Sequence, residues 1–390
     1  MVSHRLSVLL LIPVSLVTLL FGLWPLDFWP ENRVRWLTEQ EGIQFYKQGL
    51  STRRASGGVM YSDSPVDVRT SSHVFEPTTI EIYAESHEER SGGLKHIVSF
   101  HDGYPRSPLV IGQWKTYLVI RSRDNQNDAR DTYREIGLNH GLGTNEKKLI
   151  TIASGHERTE IYVNGELARS YDVRSLIGVE HFCGYLNLGN SSVGHNAWVG
   201  NLYGLALYDT LLTPEQIRQH YKLWTDKSAD KSAMIEPAPM ILYTFAERTG
   251  ALVHNQMGKS NLLTIPSRFK SLQRDIVVRF WRDTNWDKEA VKDILINILG
   301  FVPFALCMLM FLNGNRHLSP KQATFLTVLT SATLSLMIET SQMGLPTRTP
   351  SLLDLLCNTA GAALAILVLR IIPIPQNKPG QGRQQKLHEA

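Results

Sequence analysis

The stretch 335–370, SLMIETSQMGLPTRTPSLLDLLCNTAGAALAILVLR, contains two apolar segments that meet at a short loop. Both segments are apolar enough to cross a lipid bilayer, yet the charged residues Glu339, Arg348 and Asp354 lie beside the loop. A charged side chain in a membrane span costs free energy, because it loses part of its hydration. The stretch therefore predicts membrane-spanning helices that carry a polar site near one end.

Four segments of the chain predict membrane spans, because each is long enough to cross about 30 Å of hydrocarbon at about 1.5 Å per helical residue. The predicted spans are 6–24, 294–312, 323–343 and 352–372. A cleaved signal peptide is the rival interpretation of the first segment. It needs a small-x-small cleavage site, which the bulky Trp-Pro sequence does not offer, so we expect an uncleaved anchor. Short loops join the last three segments and predict antiparallel neighbours.

Positively charged residues near these spans fall in three regions of the chain. Arg5 precedes the first span, Arg316 and Lys321 lie between the second and third, and the basic tail 373–390 follows the fourth. With four spans, these three regions share one side, and Lys and Arg near span ends mark the cytoplasmic side. We therefore expect cytoplasmic N and C termini, with 25–290 outside.

The middle of the chain shows short runs of alternating apolar and polar residues, separated by turn residues. TTIEIYAE, HIVSF, KTYLVIRSR, KKLITIAS and GYLNLGN are typical of strands. In TEIYVNGELARSY, the dipeptide Asn164-Gly165 lies between two such runs and favours a type I′ hairpin. The sequence thus predicts an antiparallel β domain over 50–225, either a sandwich or a jelly roll.

One short helix is predicted near the end of this β domain, in TPEQIRQHYKLW. Thr213 is the expected N-cap, Pro214 occupies the first helical position, and Gln216 completes a capping box. The following segment, 226–290, begins as a polar linker and continues with MILYTFAERTG, an accessory β segment. This segment is too short for a second complete domain, so we expect it to supply edge strands to the first.

Composition excludes several classes of function. A net charge of +4 with scattered Lys and Arg, and no basic stripe with interleaved aromatic residues, argues against nucleic acid as a partner. The three cysteines, Cys183, Cys307 and Cys357, are far apart and lack metal-ligand spacing, so no metal site is predicted. Small buried apolar residues are the simpler interpretation of all three.

The end of the β region resembles laminin-G-like, concanavalin-A-like jelly-roll domains. The motifs are RTEIYVNGELARS, GYLNLGN and WVGNLYGLALYDTLLTPEQIRQHY. That family includes glycan binders, protein binders and some glucanases, and the resemblance implies a lectin-like domain. The glucanases need two catalytic carboxylates on one strand face, in a Glu-x-Asp-x-Glu run that this sequence lacks. We therefore expect Glu81 and Glu85, which share a strand face, to be solvated charges.

Three aromatic residues of this domain, Trp114, Trp198 and Tyr203, are candidate glycan contacts that could stack on sugar rings. Core packing explains them at least as well. Asp102 and Asn187 could belong to a calcium site of the kind that such domains sometimes carry, although the sequence does not require a cofactor.

Each of the last three spans carries a stripe of polar and small residues at spacings of three, four and seven, which place residues on one helix face. The charged ends of the three stripes lie at the outer ends of their spans. We expect them to form a polar site in the outer leaflet, accessible to lipid. The alternative is interhelical hydrogen bonding with no ligand. The candidate residues are Asp293, Asn297, Ser335, Glu339, Gln342, Arg348, Asp354 and Asn358.

The same residues resemble the VanZ-like family of membrane proteins. The motifs are DILINILGFVPFA and SLMIETSQMGLPTRTPSLLDLLCNTAGAALA, and WPLDF at 24–28 fits the end of that family's first span. One departure is Ala305, where the family has Gly, another small residue. The resemblance implies a multi-pass protein of the bacterial inner membrane with an envelope role. It also implies that the β domain is inserted into a four-helix transmembrane bundle.

Two classes of function follow for such a protein. In the first, which we favour, the β domain binds an envelope glycan or protein partner, and the helices contact membrane lipid and bind a lipid-linked precursor. In the second, Glu339, Asp354 and Arg348 catalyse a reaction on a lipid-linked or phosphate-bearing substrate. The sequence contains no nucleophile elbow, phosphate loop or metal-ligand signature that would favour an enzyme.

Overall fold

The computed structural model falls into two units, Met1–Asp27 with Asp275–Ala390, and Phe28–Arg274. The residues it describes are 4–24, 26, 28, 30–47, 57–66, 76–88, 93–104, 107–123, 133–173, 175–226, 228–229, 236–258, 260–270, 272, 288–314, 317–345 and 350–371. Arg348, the tail 373–390 and parts of the linker therefore lie outside the described residues. Along the chain, the second unit lies between the two segments of the first unit.

The described part of the second unit forms two antiparallel sheets. Sheet 1 has the strand order β1-β2-β13-β4-β9-β10-β11, and β14 pairs with β13. Its strands are β1 Val34–Trp36, β2 Ile43–Phe45, β4 Thr78–Ser86, β9 Lys147–Ser154, β10 Thr159–Val163, β11 Glu166–Tyr171, β13 Gly200–Tyr208 and β14 Ile241–Tyr243.

Sheet 2 has the order β15-β16-β3-β12-β5-β6-β7-β8. Its strands are β3 Met60–Ser62, β5 Lys95–His101, β6 Leu109–Trp114, β7 Tyr117–Arg123, β8 Tyr133–Leu138, β12 Tyr185–Leu188, β15 Leu252–Val253 and β16 Leu263–Thr264. Strands from the 238–270 region thus pair with both sheets, through β14 on one and the β15–β16 pair on the other.

The main core of this unit lies between the sheets and follows from strand alternation. Ile80 and Ile82 of β4 are buried in it, as are Leu118 and Ile120 of β7. Because successive side chains point to opposite faces of a strand, the residues between them face outward from the sandwich. The alternation therefore decides which side chains are available for a site on each outer face.

The outer face of sheet 1 is covered by α2, Pro214–Thr225, whose Ile217, His220 and Trp224 are buried. The predicted capping box is confirmed, since Thr213 Oγ1 accepts from the Gln216 amide and the Gln216 side chain accepts from the Thr213 amide. The predicted hairpin is confirmed as well. Asn164 and Gly165, with φ of 53° and 83°, turn the chain between β10 and β11.

The described part of the first unit contains four helices, α1 His4–Leu23, α3 Lys288–Asn313, α4 Pro320–Gln342 and α5 Leu352–Ile371. Within α3, α4 and α5, the segments Val291–Asn313, Pro320–Gln342 and Leu352–Leu369 are long and apolar enough to cross a membrane. The apolar part of α1, Ser7–Leu23, is shorter. The structure thus confirms antiparallel sheets together with three helices of membrane-spanning character, while the jelly-roll topology and the fourth span stay predictions.

Helix α1 nevertheless packs against the other helices of its unit. Leu11 and Val14 contact a cluster formed by Phe301, Phe304 and Ile338. A Cβ atom added at Gly22 would lie 2.7 Å from Cγ2 of Ile338, so the glycine allows α1 to approach α4 closely.

Candidate functional sites

The hairpin turn between β6 and β7 presents two large aromatic side chains to solvent. Trp114 and Tyr117 are paired across the hairpin and are 44% and 38% exposed. Their ring centroids lie 5.8 Å apart, and Lys115 Nζ lies 4.9 Å from the centroid of the Trp114 ring. We call Trp114, Lys115, Thr116 and Tyr117 the aromatic turn. Exposed aromatic rings of this kind can stack on an apolar face of a ligand.

A buried side chain braces the aromatic turn. Gln113 donates through Nε2 to the carbonyl oxygens of Lys115, at 2.6 Å, and Glu88, at 2.8 Å. Its Oε1 accepts from Ser86 Oγ at 2.7 Å and from Trp198 Nε1 at 2.8 Å. These four hydrogen bonds on one buried amide connect the backbone of the turn to the sandwich, which restrains the turn before any ligand arrives.

The other two predicted glycan contacts occupy different environments. Trp198 is 1% exposed and packs against Phe45, with ring centroids 5.9 Å apart. Tyr203 is 6% exposed, and its hydroxyl donates to Glu85. The buried positions of Trp198 and Tyr203 suit core packing. Of the three predicted glycan contacts, Trp114 is the one exposed enough to stack on a sugar ring.

The sequence predicts solvated carboxylates at Glu81 and Glu85 of β4, and that prediction is wrong for Glu81. Glu81 is fully buried beneath α2. It accepts hydrogen bonds from Tyr208 Oη at 3.0 Å, His220 Nδ1 at 3.0 Å and Trp224 Nε1 at 2.9 Å. Alternation places Glu81 outside the sandwich core, but it does not reveal that a helix covers this face.

Glu85 lies farther along the same strand face and is only 16% exposed at its side chain. Burial alone raises the pKa of its carboxyl. Hydrogen bonds from Tyr203 and Asn201, together with the nearby His87 and Lys147, outweigh burial and lower that pKa overall. Glu85 is therefore held as a carboxylate in a hydrogen-bonded setting.

The residues considered for calcium are engaged in other contacts. Asp102 Oδ2 binds Arg123 Nη2 at 2.6 Å. Asn187 is fully buried, and its Nδ2 donates to the Asn190 carbonyl at 3.0 Å. Among the described residues, no group of three or more His, Cys, Asp or Glu side chains has an arrangement that could hold a metal ion. The calcium hypothesis gains no support from these contacts.

In the first unit, a buried set of polar side chains lies along α4, and we call Ser335, Glu339 and Gln342 with Asn358 the interhelical cluster. All four are at most 7% exposed. Gln342 Nε2 donates to the Gly22 carbonyl of α1 at 2.8 Å, and Asn358 Nδ2 of α5 donates to Ser335 Oγ at 2.9 Å. The cluster therefore joins α4 to α1 and to α5 by hydrogen bonds.

The carboxylate of Glu339, a residue of α4, lies beside the N-terminus of α5. Its Oε2 accepts from the Ser351 amide at 2.8 Å, and Ser351 Oγ in turn accepts from the amides of Leu353 and Asp354. The first amides of a helix have no acceptor within the helix, and together with the helix dipole they make this end of a helix favourable for a carboxylate. The contact explains why an acidic residue can be buried at this position.

The remaining predicted residues of the site are placed differently. Asp354 is half-buried, Asn297 is partly exposed, and Asp293 is exposed on α3. Helices α3 and α5 approach closely at Gly361, where an added Cβ would lie 2.1 Å from the Ile298 carbonyl oxygen. The described hydrogen bonds thus join α1, α4 and α5, and backbone packing joins α3 to α5.

Residues 238–373 match the VanZ/LLP1 family model. The match covers all three apolar helices and the whole interhelical cluster, as the resemblance of the C-terminal motifs predicts. It also takes in β14, β15 and β16, but it does not include α1. The VanZ/LLP1 match and the three apolar helices together identify the chain as a membrane protein.

No curated protein matches the chain. Solved structures show similarity to part of the chain. A candidate carbohydrate binding protein from Bacteroides ovatus has 14% identity over 60% of this chain and 62% of its own, with a TM-score of 0.37.

Two botulinum neurotoxin structures are similar to a comparable extent. One concerns type C and its interaction with two ganglioside molecules, at 14% identity over 50% of this chain and 46% of its own, with a TM-score of 0.36. The other is the binding domain of neurotoxin DC in complex with rat synaptotagmin II, at 15% identity over 50% and 46%, with a TM-score of 0.37. The chain spans less than two thirds of each of these three structures, and no ligand follows from similarity of this degree.

Proposed function

We propose that the chain is a multi-pass protein of the bacterial inner membrane whose β-sandwich binds a glycan outside the cytoplasm, through the aromatic turn. The proposal rests on the observation that Trp114 and Tyr117 are exposed and paired, in a turn whose Lys115 carbonyl accepts a hydrogen bond from the buried Gln113. Leaving a large aromatic pair in water forgoes burial that would stabilise the fold, so a ligand that covers the rings is the favoured explanation.

The membrane topology belongs to this proposal. Arg5, the α3–α4 connection and the basic tail 373–390 would lie in the cytoplasm, and the β-sandwich would lie outside. This arrangement exposes the aromatic turn to envelope polymers, and it leaves α1 as the fourth span.

A glycan array with the purified full chain in detergent tests the proposal. The variants are Trp114→Ala and, as a control, Leu167→Ala, which removes a 53% exposed side chain from β11 of the other sheet. We expect the wild type and Leu167→Ala to bind the same glycans, and Trp114→Ala to lose most of that binding. Folded protein that binds no glycan would contradict the proposal and favour a protein partner. Equal binding by all three proteins would place the site elsewhere.

A second function is favoured by the interhelical cluster. Four buried polar side chains near one end of α4 and α5 form a polar interior that a lipid-linked precursor could use for its head group. Mass spectrometry of lipids that co-purify with Glu339→Gln and with Thr340→Val, an exposed neighbouring position, tests this role. We expect only Glu339→Gln to lose a polar lipid species. Identical lipid profiles in both variants would leave interhelical hydrogen bonding as the function of the cluster.

A further inference from the structure

The outer face of sheet 2 carries more than the aromatic turn. Arg121 lies 5.9 Å from the ring centroid of Tyr133, and Arg123 lies 5.4 Å from that of Tyr104. Tyr104 is 66% exposed. Lys115 lies over the Trp114 ring in the same way, so three aromatic rings on this face each have a cation–π contact.

Strand register places these groups on one surface. Tyr117, Arg121 and Arg123 alternate along β7 with Leu118 and Ile120, which point into the core. Residues that pair directly across two strands share a face of the sheet, so the partners of Tyr117, Arg121 and Arg123 also face outward. These partners are Trp114 for Tyr117, Glu135 for Arg121 and Tyr133 for Arg123.

Both guanidinium groups of this surface are paired with carboxylates. Arg123 binds Asp102 at 2.6 Å, and Arg121 binds Glu135. The Arg123–Asp102 pair is mostly buried, with side chains 16% and 14% exposed. Each carboxylate neutralises the charge of its arginine and restrains the guanidinium group that contacts the aromatic ring. A polyanion would have to compete with the carboxylates, whereas an uncharged ligand would leave both pairs intact.

The surface is long enough for several ligand units. Tyr117 and Arg123 are six residues apart on β7, which corresponds to about 20 Å at about 3.4 Å per strand residue. Tyr104 and Tyr133 are held near the Arg123 end, and the aromatic turn lies at the other. Aromatic rings therefore lie at both ends of the β6–β8 surface.

We propose that this surface binds an extended, uncharged glycan, with Trp114 and Tyr117 stacking on one end of it and Tyr133 and Tyr104 on the other. The inference rests on the proposed function, since it takes the aromatic turn as one end of the site. It adds a second contact region, a neutral ligand class and a minimum ligand length.

Binding of matched short and long oligosaccharides to the full chain tests the inference. The neutral probes are the disaccharide and the hexasaccharide of each of three series, those of cellulose, maltose and chitin. Hexagalacturonic acid is the anionic comparison. The variants are Trp114→Ala, Tyr104→Ala and Tyr133→Ala. Tyr46→Ala is the control, because it removes a ring that lies 5.1 Å from Arg35 in a similar contact elsewhere in the domain.

We expect a neutral hexasaccharide to bind more tightly than its disaccharide. Tyr104→Ala and Tyr133→Ala should each weaken hexasaccharide binding by about fivefold to tenfold and leave the disaccharide unchanged. Trp114→Ala should weaken both, and Tyr46→Ala neither. Raising the salt concentration from about 50 to about 500 mM should leave the Kd nearly constant, since an uncharged ligand is not screened.

The possible failures are distinguishable. If Trp114→Ala alone weakens binding, the aromatic turn is a glycan site but the extended surface is not. If hexagalacturonic acid binds best and is released by salt, the neutral ligand class is wrong. If no probe and no glycan of the array binds to folded protein, the proposed function fails together with the inference.

Discussion

At the scale of single residues, two helical glycines of the membrane unit differ in what surrounds them. A Cβ atom at Gly361 of α5 would lie 2.1 Å from a backbone oxygen of α3, whereas a Cβ atom at Gly300 of α3 would meet nothing within 4 Å. Backbone cannot move aside as a flexible side chain can. Gly361 is therefore required for the close approach of α3 and α5, and Gly300 is not.

Gly361→Ala is thus expected to destabilise the membrane unit by about 1–3 kcal/mol, the usual range for overpacking. Gly300→Ala should be neutral or slightly stabilising, because Ala favours helix more than Gly does. The two variants are heated in detergent, and the fraction of protein that stays monodisperse at each temperature measures the difference in their stability. Equal behaviour of the two variants would show that α3 and α5 do not pack at Gly361.

Gln113 offers a second test at this scale. Its amide makes four hydrogen bonds, two of them with the buried partners Ser86 and Trp198. Gln113→Ala leaves these donors without their acceptor, at a cost of about 1–3 kcal/mol. We also expect faster backbone amide exchange in the aromatic turn. Gln40→Ala, at a half-buried position elsewhere in the domain, is the comparison, and unchanged exchange in the Gln113 variant would show that the turn is not braced by this side chain.

At the scale of elements, α2 is held on sheet 1 by a buried polar contact. His220 Nε2 lies 3.1 Å from the Glu236 carbonyl oxygen, which can only accept, and Nδ1 lies 3.0 Å from Glu81 Oε1. Two protons must therefore be shared among the Glu81 carboxyl and the two imidazole nitrogens. Burial alone lowers the pKa of His220. The hydrogen bond and charge of Glu81, with the Glu236 carbonyl, outweigh burial and raise it.

The raised pKa gives the docking of α2 a definite dependence on pH. A histidine whose folded pKa exceeds its unfolded value of about 6.5 contributes full stability below that value and loses the contribution as pH rises through the folded pKa. The Tyr208 hydroxyl also contacts the imidazole, at 3.4 Å from Nδ1. Burial raises the pKa of Tyr208, so it stays a neutral donor.

We therefore expect amide exchange of α2, corrected for its intrinsic rate, to accelerate as pH rises above about 6.5. Replacing both partners, in Glu81→Gln with His220→Gln, should remove this dependence. His254→Gln should preserve it, because His254 is 60% exposed in its contact with Glu247. Exchange in the wild type that does not change with pH would contradict the role of the Glu81–His220 contact.

This contact also shows what the sequence can and cannot predict. Local sequence signals were sufficient to predict β4, β9 and the α2 capping box, because alternation and capping depend on neighbouring residues. His220 lies 139 positions after Glu81 in the chain. No periodicity relates such distant positions, so a buried carboxylate and a solvated one look alike in the sequence.

The membrane unit shows the same division between local and distant information. Spacings of three and four correctly place Ser335, Glu339 and Gln342 on one buried face of α4. On α3 the same reasoning selects Asp293 and Asn297, yet Asp293 is exposed and Asn297 is partly exposed. The face of α3 that packs instead carries Phe301, Phe304 and Ala305. Helical spacing predicts which residues share a face, but the facing helix decides which face is buried.

At the scale of the whole molecule, the distribution of Lys and Arg predicts the side of the membrane on which each connection lies. Single cysteines at Gly344, after α4, and at Gly314, after α3, report on opposite sides, in a chain whose native cysteines are replaced by alanine. A membrane-impermeant maleimide should label Gly344→Cys on intact spheroplasts and Gly314→Cys only after the membrane is opened. Leu167→Cys, on the β domain, should be labelled as readily as Gly344→Cys. The reverse pattern, or labelling of both connections from outside, would overturn the four-span topology and would remove the aromatic turn from contact with envelope glycans.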